Sequence, residues 1–236
     1  MTIEKLKLLF CVVVFSVLPQ ATFGQSPAFL DQVFDFEDLS VAGFANGAAA
    51  GPFVVADANG NNALQVVTSG APGGSGAALV VLNNAFSGDL TGATTVLFDA
   101  TNPNPSDLNI RFSFSDPSNV FISNDIVLPA GTTDSLSFLL DSNSFVQANG
   151  TGSFSQALAN VDQIRILNNV NASIGAGGLA LGAPVLDLAG NPIAGSLLVD
   201  NFVVSSAPVA AVPEPSCISL LFGLAGVIAA SRRRTI

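Results

Sequence analysis

The sequence predicts an all-β fold: a two-sheet antiparallel sandwich of the jelly-roll type, with an apolar helix at each end of the chain. Three observations predict it. About ten short β-rich runs are separated by clusters of Gly, Asn, Asp, Pro and Ser, the rhythm of a sandwich. Two of those runs alternate cleanly. In 109–114, Ile110, Phe112 and Phe114 fall on one side and Arg111 and Ser113 on the other; in 162–166, Ile164 and Ile166 oppose Gln163 and Arg165. That period of two belongs to half-buried antiparallel strands. No repeat of fixed length is present, which sets a solenoid aside.

The runs are justified in chain order. Residues 33–37 alternate Phe34 and Phe36 with acids and form the opening strand. Runs at 53–56 and 63–67 flank Asn59-Gly60-Asn61-Asn62, a turn sequence, and Ala71-Pro72-Gly73-Gly74 separates them from 77–82. The run at 94–99 ends before Asn102-Pro103-Asn104-Pro105, after which come 108–114, 120–128 and 135–140. Residues 154–159 are the one helical stretch in the body, with Ser153 as N-cap. Strands at 161–167 and 197–204 close the domain, with Ala189-Gly190-Asn191-Pro192 as a turn between them. Gly/Ala/Ser-rich stretches at 42–51 and 70–78, and residues 171–195, read as loops.

The two ends have a different logic. Lys5 and Lys7 precede an apolar core at 8–18, Pro19 breaks it, and Thr22-Phe23-Gly24 offers a small-x-small cleavage site. A core of that length suits the h-region of a signal peptide at 1–24 and not a bilayer span. The other end reads Val212-Pro213-Glu214-Pro215-Ser216, then an apolar run, then Arg232, Arg233 and Arg234. As a helix, 216–231 reaches about 24 Å, against roughly 30 Å of hydrocarbon. Snorkelling arginines and local thinning close the gap, and the positive-inside rule keeps the arginines cytoplasmic. Pro213 and Pro215 keep the motif extended, a shape a protease can bind as a strand.

This ordered trio at 212–236 resembles the PEP-CTERM sorting signal. The resemblance implies that the tail anchors the chain transiently in the membrane. It further implies that an exosortase-type membrane protease removes the tail, and that the exported body joins the cell surface or an exopolysaccharide matrix, as in biofilms. Signal peptidase is then the partner at the other end. The domains expected are a signal peptide at 1–24, a β-sandwich at 25–204, a linker at 205–211 and the sorting signal at 212–236.

Composition excludes more than any motif assigns. Outside the two terminal segments, 15 acids face 2 bases, Arg111 and Arg165, a charge of about −13. Nucleic-acid binding needs the opposite sign, and docking on anionic lipid is disfavoured for the same reason. The chain has no His, Trp or Tyr, and its cysteines, Cys11 and Cys217, lie in the terminal segments. The body therefore has no disulfide, no Ser-His or Cys-His pair and no ordinary zinc site. Its carboxylates are one Glu and fourteen Asp, mostly in turns where Asp bonds its own backbone. The chain reads as a non-catalytic surface or matrix protein, with a sugar-binding module as the alternative.

An opening strand Phe34-Asp35-Phe36-Glu37-Asp38 beside a closing strand at 198–204 resembles the jelly-roll carbohydrate-binding modules. In that fold, carboxylates near the first and last strands hold a structural Ca²⁺. The resemblance implies Glu37 and Asp200 as ligands, with Asp35 less securely placed. The alternative is that these acids mark solvated strand edges. Stacking platforms for sugar would have to be Phe; Phe44, Phe86, Phe121 and Phe145 are the rings to test for exposure, against the alternative that each is a core ring or a loop staple.

Overall fold

A computed structural model describes residues 29–206 apart from 47–49, 58–59, 71–79, 84 and 173–181. Alternating side chains give strands, and the turn residues space them. The elements are β1 (Phe44–Asn46), β2 (Ala50–Ala56), β3 (Asn62–Val67), β4 (Val80–Asn83), β5 (Thr95–Thr101), β6 (Leu108–Ser115), β7 (Val120–Ser123), β8 (Ile126–Leu128), β9 (Thr133–Leu139) and β10 (Phe145–Asn149). They are followed by α1 (Phe154–Leu158), β11 (Gln163–Asn168), β12 (Val185–Leu186), β13 (Pro192–Ile193) and β14 (Ser196–Ser205).

The strands form two antiparallel sheets. One runs β1-β4-β11-β6-β7-β10, with β8 also paired to β6; the other runs β2-β3-β14-β5-β9. β12 and β13 make a separate small hairpin. The sandwich expected from the sequence is therefore present. The helix is also where Ser153 predicts it. The Ser153 hydroxyl accepts from the Gln156 N–H, and the Gln156 side chain reaches back to the Ser153 N–H, a capping box.

The space between the sheets is filled by phenylalanine. Among the described residues, thirteen rings form one contact network. It passes from Phe29 and Phe34 onto Phe86, through Phe202, Phe98, Phe138, Phe112, Phe145 and Phe114, and ends on Phe154. Edge-to-face and offset contacts of this kind add to the area each ring buries. The large side chain without a polar tip suits a core in which hydrogen-bond partners are scarce.

Four expectations are corrected. Residues 33–37 are not a strand. Phe36 has a φ of +56°, and only Phe34 and Phe202 bridge, through N–H···O bonds of 2.9 and 3.0 Å. The kink turns Phe36 into the core, where it is 2% exposed, beside Phe44. The run at 120–128 is two strands, because the Ser123 hydroxyl accepts from the Phe112 N–H and donates to the Asn124 carbonyl, ending the ladder. The stretch at 42–51 contains β1 and the start of β2, anchored by the buried Phe44. Gly43 permits this, since its φ is +77° and a Cβ there would stand 2.6 Å from the Ala85 Cβ. Residues 145–149 form an edge strand that was not expected.

The edges are blunted. β2 carries Pro52 and a bulge between Ala50 and Phe53, and β10 is irregular between Gln147 and Asn149. Both devices discourage strand addition from another chain.

The described ends meet. The Asp31 N–H donates to the Val204 carbonyl at 2.8 Å, and the Asp31 carboxylate accepts from the Ser206 N–H and from the Ser205 and Ser206 hydroxyls. Those donors, chiefly Ser206, hold its carboxyl below the usual aspartate range.

Candidate functional site

The residues of the expected sorting motif, Pro213, Glu214, Pro215, Arg232, Arg233 and Arg234, lie outside the described residues, as does the expected signal peptide. Among the described residues no helix is long and apolar enough to cross a membrane.

The three carboxylates implied as calcium ligands meet at one junction. Asp35 and Glu37 lie on the N-terminal segment, and Asp200 lies on β14. The sequence missed a fourth, Asp99, which stands directly opposite Asp200 in the β14–β5 register. Burial first, then the charges of Asp99, Glu37 and Asp35, push the Asp200 carboxyl above its ordinary value. Several of these oxygens already accept hydrogen bonds. Both Glu37 oxygens accept from Asn62, backbone at 2.9 Å and side chain at 3.0 Å. Asp99 accepts from the Ser135 hydroxyl and, at 2.8 Å, from the Asn201 amide. Asp35 accepts from the Glu37 N–H at 3.2 Å, and Asp200 from the Asn201 N–H at 2.7 Å.

Calcium takes six to eight oxygens, and among the described residues no group of three or more carboxylates is placed to hold a metal ion. The residues that the resemblance implies, Asp35, Glu37 and Asp200, are thus not assembled into a metal cage here; N–H donors solvate their carboxylates.

The pH dependence follows from the raised Asp200 value. A carboxyl raised in the folded state contributes stability below its unfolded value, and that contribution is lost as pH rises through the folded value. At neutral pH the ionised Asp200 therefore opposes folding. Asp200→Asn is expected to raise the melting temperature at pH 7 by on the order of 1–2 °C, discounted for solvent screening. The gain should fade as pH falls toward about 4. Melts of both proteins across that range check it; a gain that persists at low pH would contradict the account.

A second arrangement lies on the outer face of the seven-stranded sheet. β6 sends Ile110, Phe112 and Phe114 into the core, so Arg111, Ser113 and Ser115 face out. β11 sends Ile164 and Ile166 inward, so Gln163, Arg165 and Leu167 face out. Strand register then aligns Arg165 with Ser113, Ser113 with Ile122, and Ile122 with Val146. This row crosses three inter-strand gaps, about 14 Å. The neighbouring row holds Gln163, Ser115 and Val120. Both bases of the body thus stand on adjacent strands of one face.

They differ in role. Arg111 is 7% exposed, and its donors go to the carbonyls of Asn169, Ser123 and Val170 and to Asp125 at 3.0 Å. It is a structural clamp. Arg165 is half-buried; its Nε donates to the Gln163 side chain at 2.6 Å. Burial lowers its value despite the attraction of Asp162. Ser113 is 2% exposed. Asp162 accepts from the Ser115 hydroxyl at 2.7 Å.

Of the two readings of the candidate aromatic platforms, the structure favours the core one. Phe44, Phe86, Phe121 and Phe145 are all buried, at 3%, 3%, 5% and 7% exposure, because each is a member of the ring network. Phe53, on edge strand β2, is 51% exposed. Its outward direction follows from strand alternation, but the bulge and register that set it were not readable beforehand.

No protein-family model matches the chain, and no curated protein matches it. Solved structures of similar architecture include the family 11 carbohydrate-binding module from Clostridium thermocellum in complex with a β-1,3-1,4-mixed-linked tetrasaccharide. It is 18% identical over 72% of this chain and 92% of that one, with a TM-score of 0.46. A carbohydrate-binding module of family 28, specific for non-crystalline cellulose, is 19% identical over 73% and 93%, with a TM-score of 0.40. An exo-β-agarase is 14% identical over 74% of this chain and 25% of that one, with a TM-score of 0.49. The chain is similar to these sandwiches in overall architecture, and at these identities the likeness assigns no residue a role.

Proposed function

We propose that this is an exported, non-catalytic surface or matrix protein. Its jelly-roll sandwich binds polysaccharide across the outer face of the seven-stranded sheet, and an exosortase-type protease removes its tail. The observation that carries the sugar-binding reading is the half-buried Arg165–Gln163 pair of β11 and the exposed Val146 of β10, which stand on that outer face at the two ends of the register row through Ser113 and Ile122. Ser113 and Ile122, at 2% and 0% exposure, are covered and only space the two ends, so a polysaccharide would meet a charged donor at one end and an apolar side chain at the other. Saccharides present the same mixture of hydroxyl and C–H surface, and sites of this kind pair apolar area with a few placed polar groups.

Catalysis has little support. Glycoside hydrolysis uses two carboxylates facing the sugar, whereas the carboxylates at the ends of this face, Asp125 and Asp162, are held by Arg111 and Ser115. The sorting part rests on the motif at 212–236 alone.

One experiment tests both parts. The full chain is produced in a host with and without the exosortase, and the mature body is weighed by mass spectrometry. That body is then run by affinity electrophoresis through gels containing a panel of neutral polysaccharides. The tail after about residue 212 is expected to be lost only when the protease is present. One or more polysaccharides should retard the body, and Arg165→Gln should weaken that retardation about tenfold, a loss of ~1.4 kcal/mol. Equal mobility in every gel would end the sugar-binding reading.

A further inference from the structure

The end of the sandwich beside α1 holds a cavity of about 490 Å³, inside the ~300–1,000 Å³ range of small-molecule sites. Its floor is apolar, made by Phe154, Leu140 and Leu158, and its rim carries the hydroxyls of Thr91, Ser142 and Ser155.

Each wall is fixed before any ligand arrives. The Thr91 turn is tied by its N–H to Asp89 at 2.7 Å. The turn after β9 is tied by Asp141, which accepts from the N–H groups of Asn143 and Ser144 and from the Ser144 hydroxyl. The helical wall is held by the Ser153 capping box. Phe154 itself is half-buried and gripped by Phe114, Phe121 and Phe145, with centroids 5.2, 5.3 and 5.4 Å away. One side of the last ring of the network therefore belongs to the cavity. At Gly92 a Cβ would meet nothing within 4 Å, so the mouth is open there. A site whose walls are already ordered loses less entropy on binding.

The chemistry narrows the ligand. Asp89 and Asp141 are committed to their own turns, and both carboxyls lie below the usual aspartate range. At Asp89 the lowering comes from Thr91; at Asp141 burial opposes it, but the N–H groups of Asn143 and Ser144 prevail. These ionised groups, in a body of about −13, repel an anion, and among the described residues no group of three or more carboxylates is placed there to hold a metal cation. The hydroxyl rim sets aside a purely apolar guest. An aromatic floor under neutral hydroxyls fits a neutral sugar ring. We propose that this cavity is a second carbohydrate site, separate from the sheet face. It takes one uncharged pyranose, with its C–H face on Phe154 and its hydroxyls on Thr91, Ser142 and Ser155.

The test uses the purified full-length chain with labelled phenylalanine rings, titrated with methyl β-D-glucopyranoside, methyl β-D-galactopyranoside and methyl α-D-mannopyranoside. At least one glycoside is expected to shift the Phe154 ring signals saturably. Ser155→Phe, which fills the cavity from an exposed position, should weaken that binding at least about tenfold at an unchanged melting temperature. If Ser155→Phe melts early, Ser142→Phe on the facing wall does the same task. Arg165→Gln should leave the glycoside shifts intact even where it abolishes polysaccharide retardation, so the two sites fail separately. Silence of the Phe154 signals with all three glycosides, or shifts that survive the filling variant, would overturn the proposal.

Discussion

Asn102→Ala is expected to destabilise the domain by about 4 kcal/mol, through buried partners left without bonds. The Asn102 side chain is fully buried. Its Nδ2 donates to the carbonyls of Ser106, Leu128 and Pro129 at 2.9, 3.0 and 3.1 Å. Its oxygen accepts from the Asn104 backbone at 3.0 Å and from the Asn104 side chain at 2.7 Å. Asn104 in turn donates to the Ser196 carbonyl at 2.6 Å and accepts from the Ser196 N–H at 2.9 Å.

Two asparagines therefore clamp the end of β5, the end of β8 and the start of β14, which belong to both sheets. Alanine removes one side of five bonds and supplies nothing in return. Denaturant titration checks the result: the midpoint should fall with the slope unchanged. A loss under about 1 kcal/mol would show that water takes over the exposed groups.

Phe202→Ala is expected to cost about 3–5 kcal/mol. Phe202 is fully buried and touches Phe44, Phe86 and Phe98, with centroids 5.4, 5.5 and 6.1 Å away. It is also inward only because of a bulge. Leu197 and Val199 face the core, so simple alternation would point residue 201 inward and residue 202 out. The register shifts between Asp200 and Val203, with Asn201 at a φ of +50°, and this resets the alternation so that Phe202 and Val204 face the core. Truncation opens a hole in the ring network at the point where its two halves join. Phe53→Ala is the control, with a change within about 0.5 kcal/mol, since that ring is half in solvent. Comparable losses at the two positions would refute the network as the source of stability.

Much of this was legible in the residues. Ile110-Arg111-Phe112-Ser113-Phe114 fixed both a strand and its faces, because a period of two has one reading. Ser153 marked the helix start as its N-cap, although the reciprocal bond from Gln156 was seen only in the structure. What stayed hidden was non-local. Asp99 joins Asp200 only through register, which nothing near either residue specifies. The same is true of the row that brings Arg165 to Ser113 and Ile122. The strand expected at 33–37 failed because burying Phe36 outweighed continuing the ladder. Whether Phe44, Phe86, Phe121 and Phe145 were core or surface could not be read locally, because contacts far apart in sequence give each ring its place in the core.

The clasp of Asp31 on Ser205 and Ser206 has a mechanical side. β14 is the middle strand of its sheet, paired with β3 over 196–199 and with β5 over 198–205. Tension drawn on the chain beyond residue 206 reaches those few side-chain bonds before it reaches the ladder. They act as a sacrificial link, and since acid protonates the carboxylate that holds them, the load at which the link yields falls with pH.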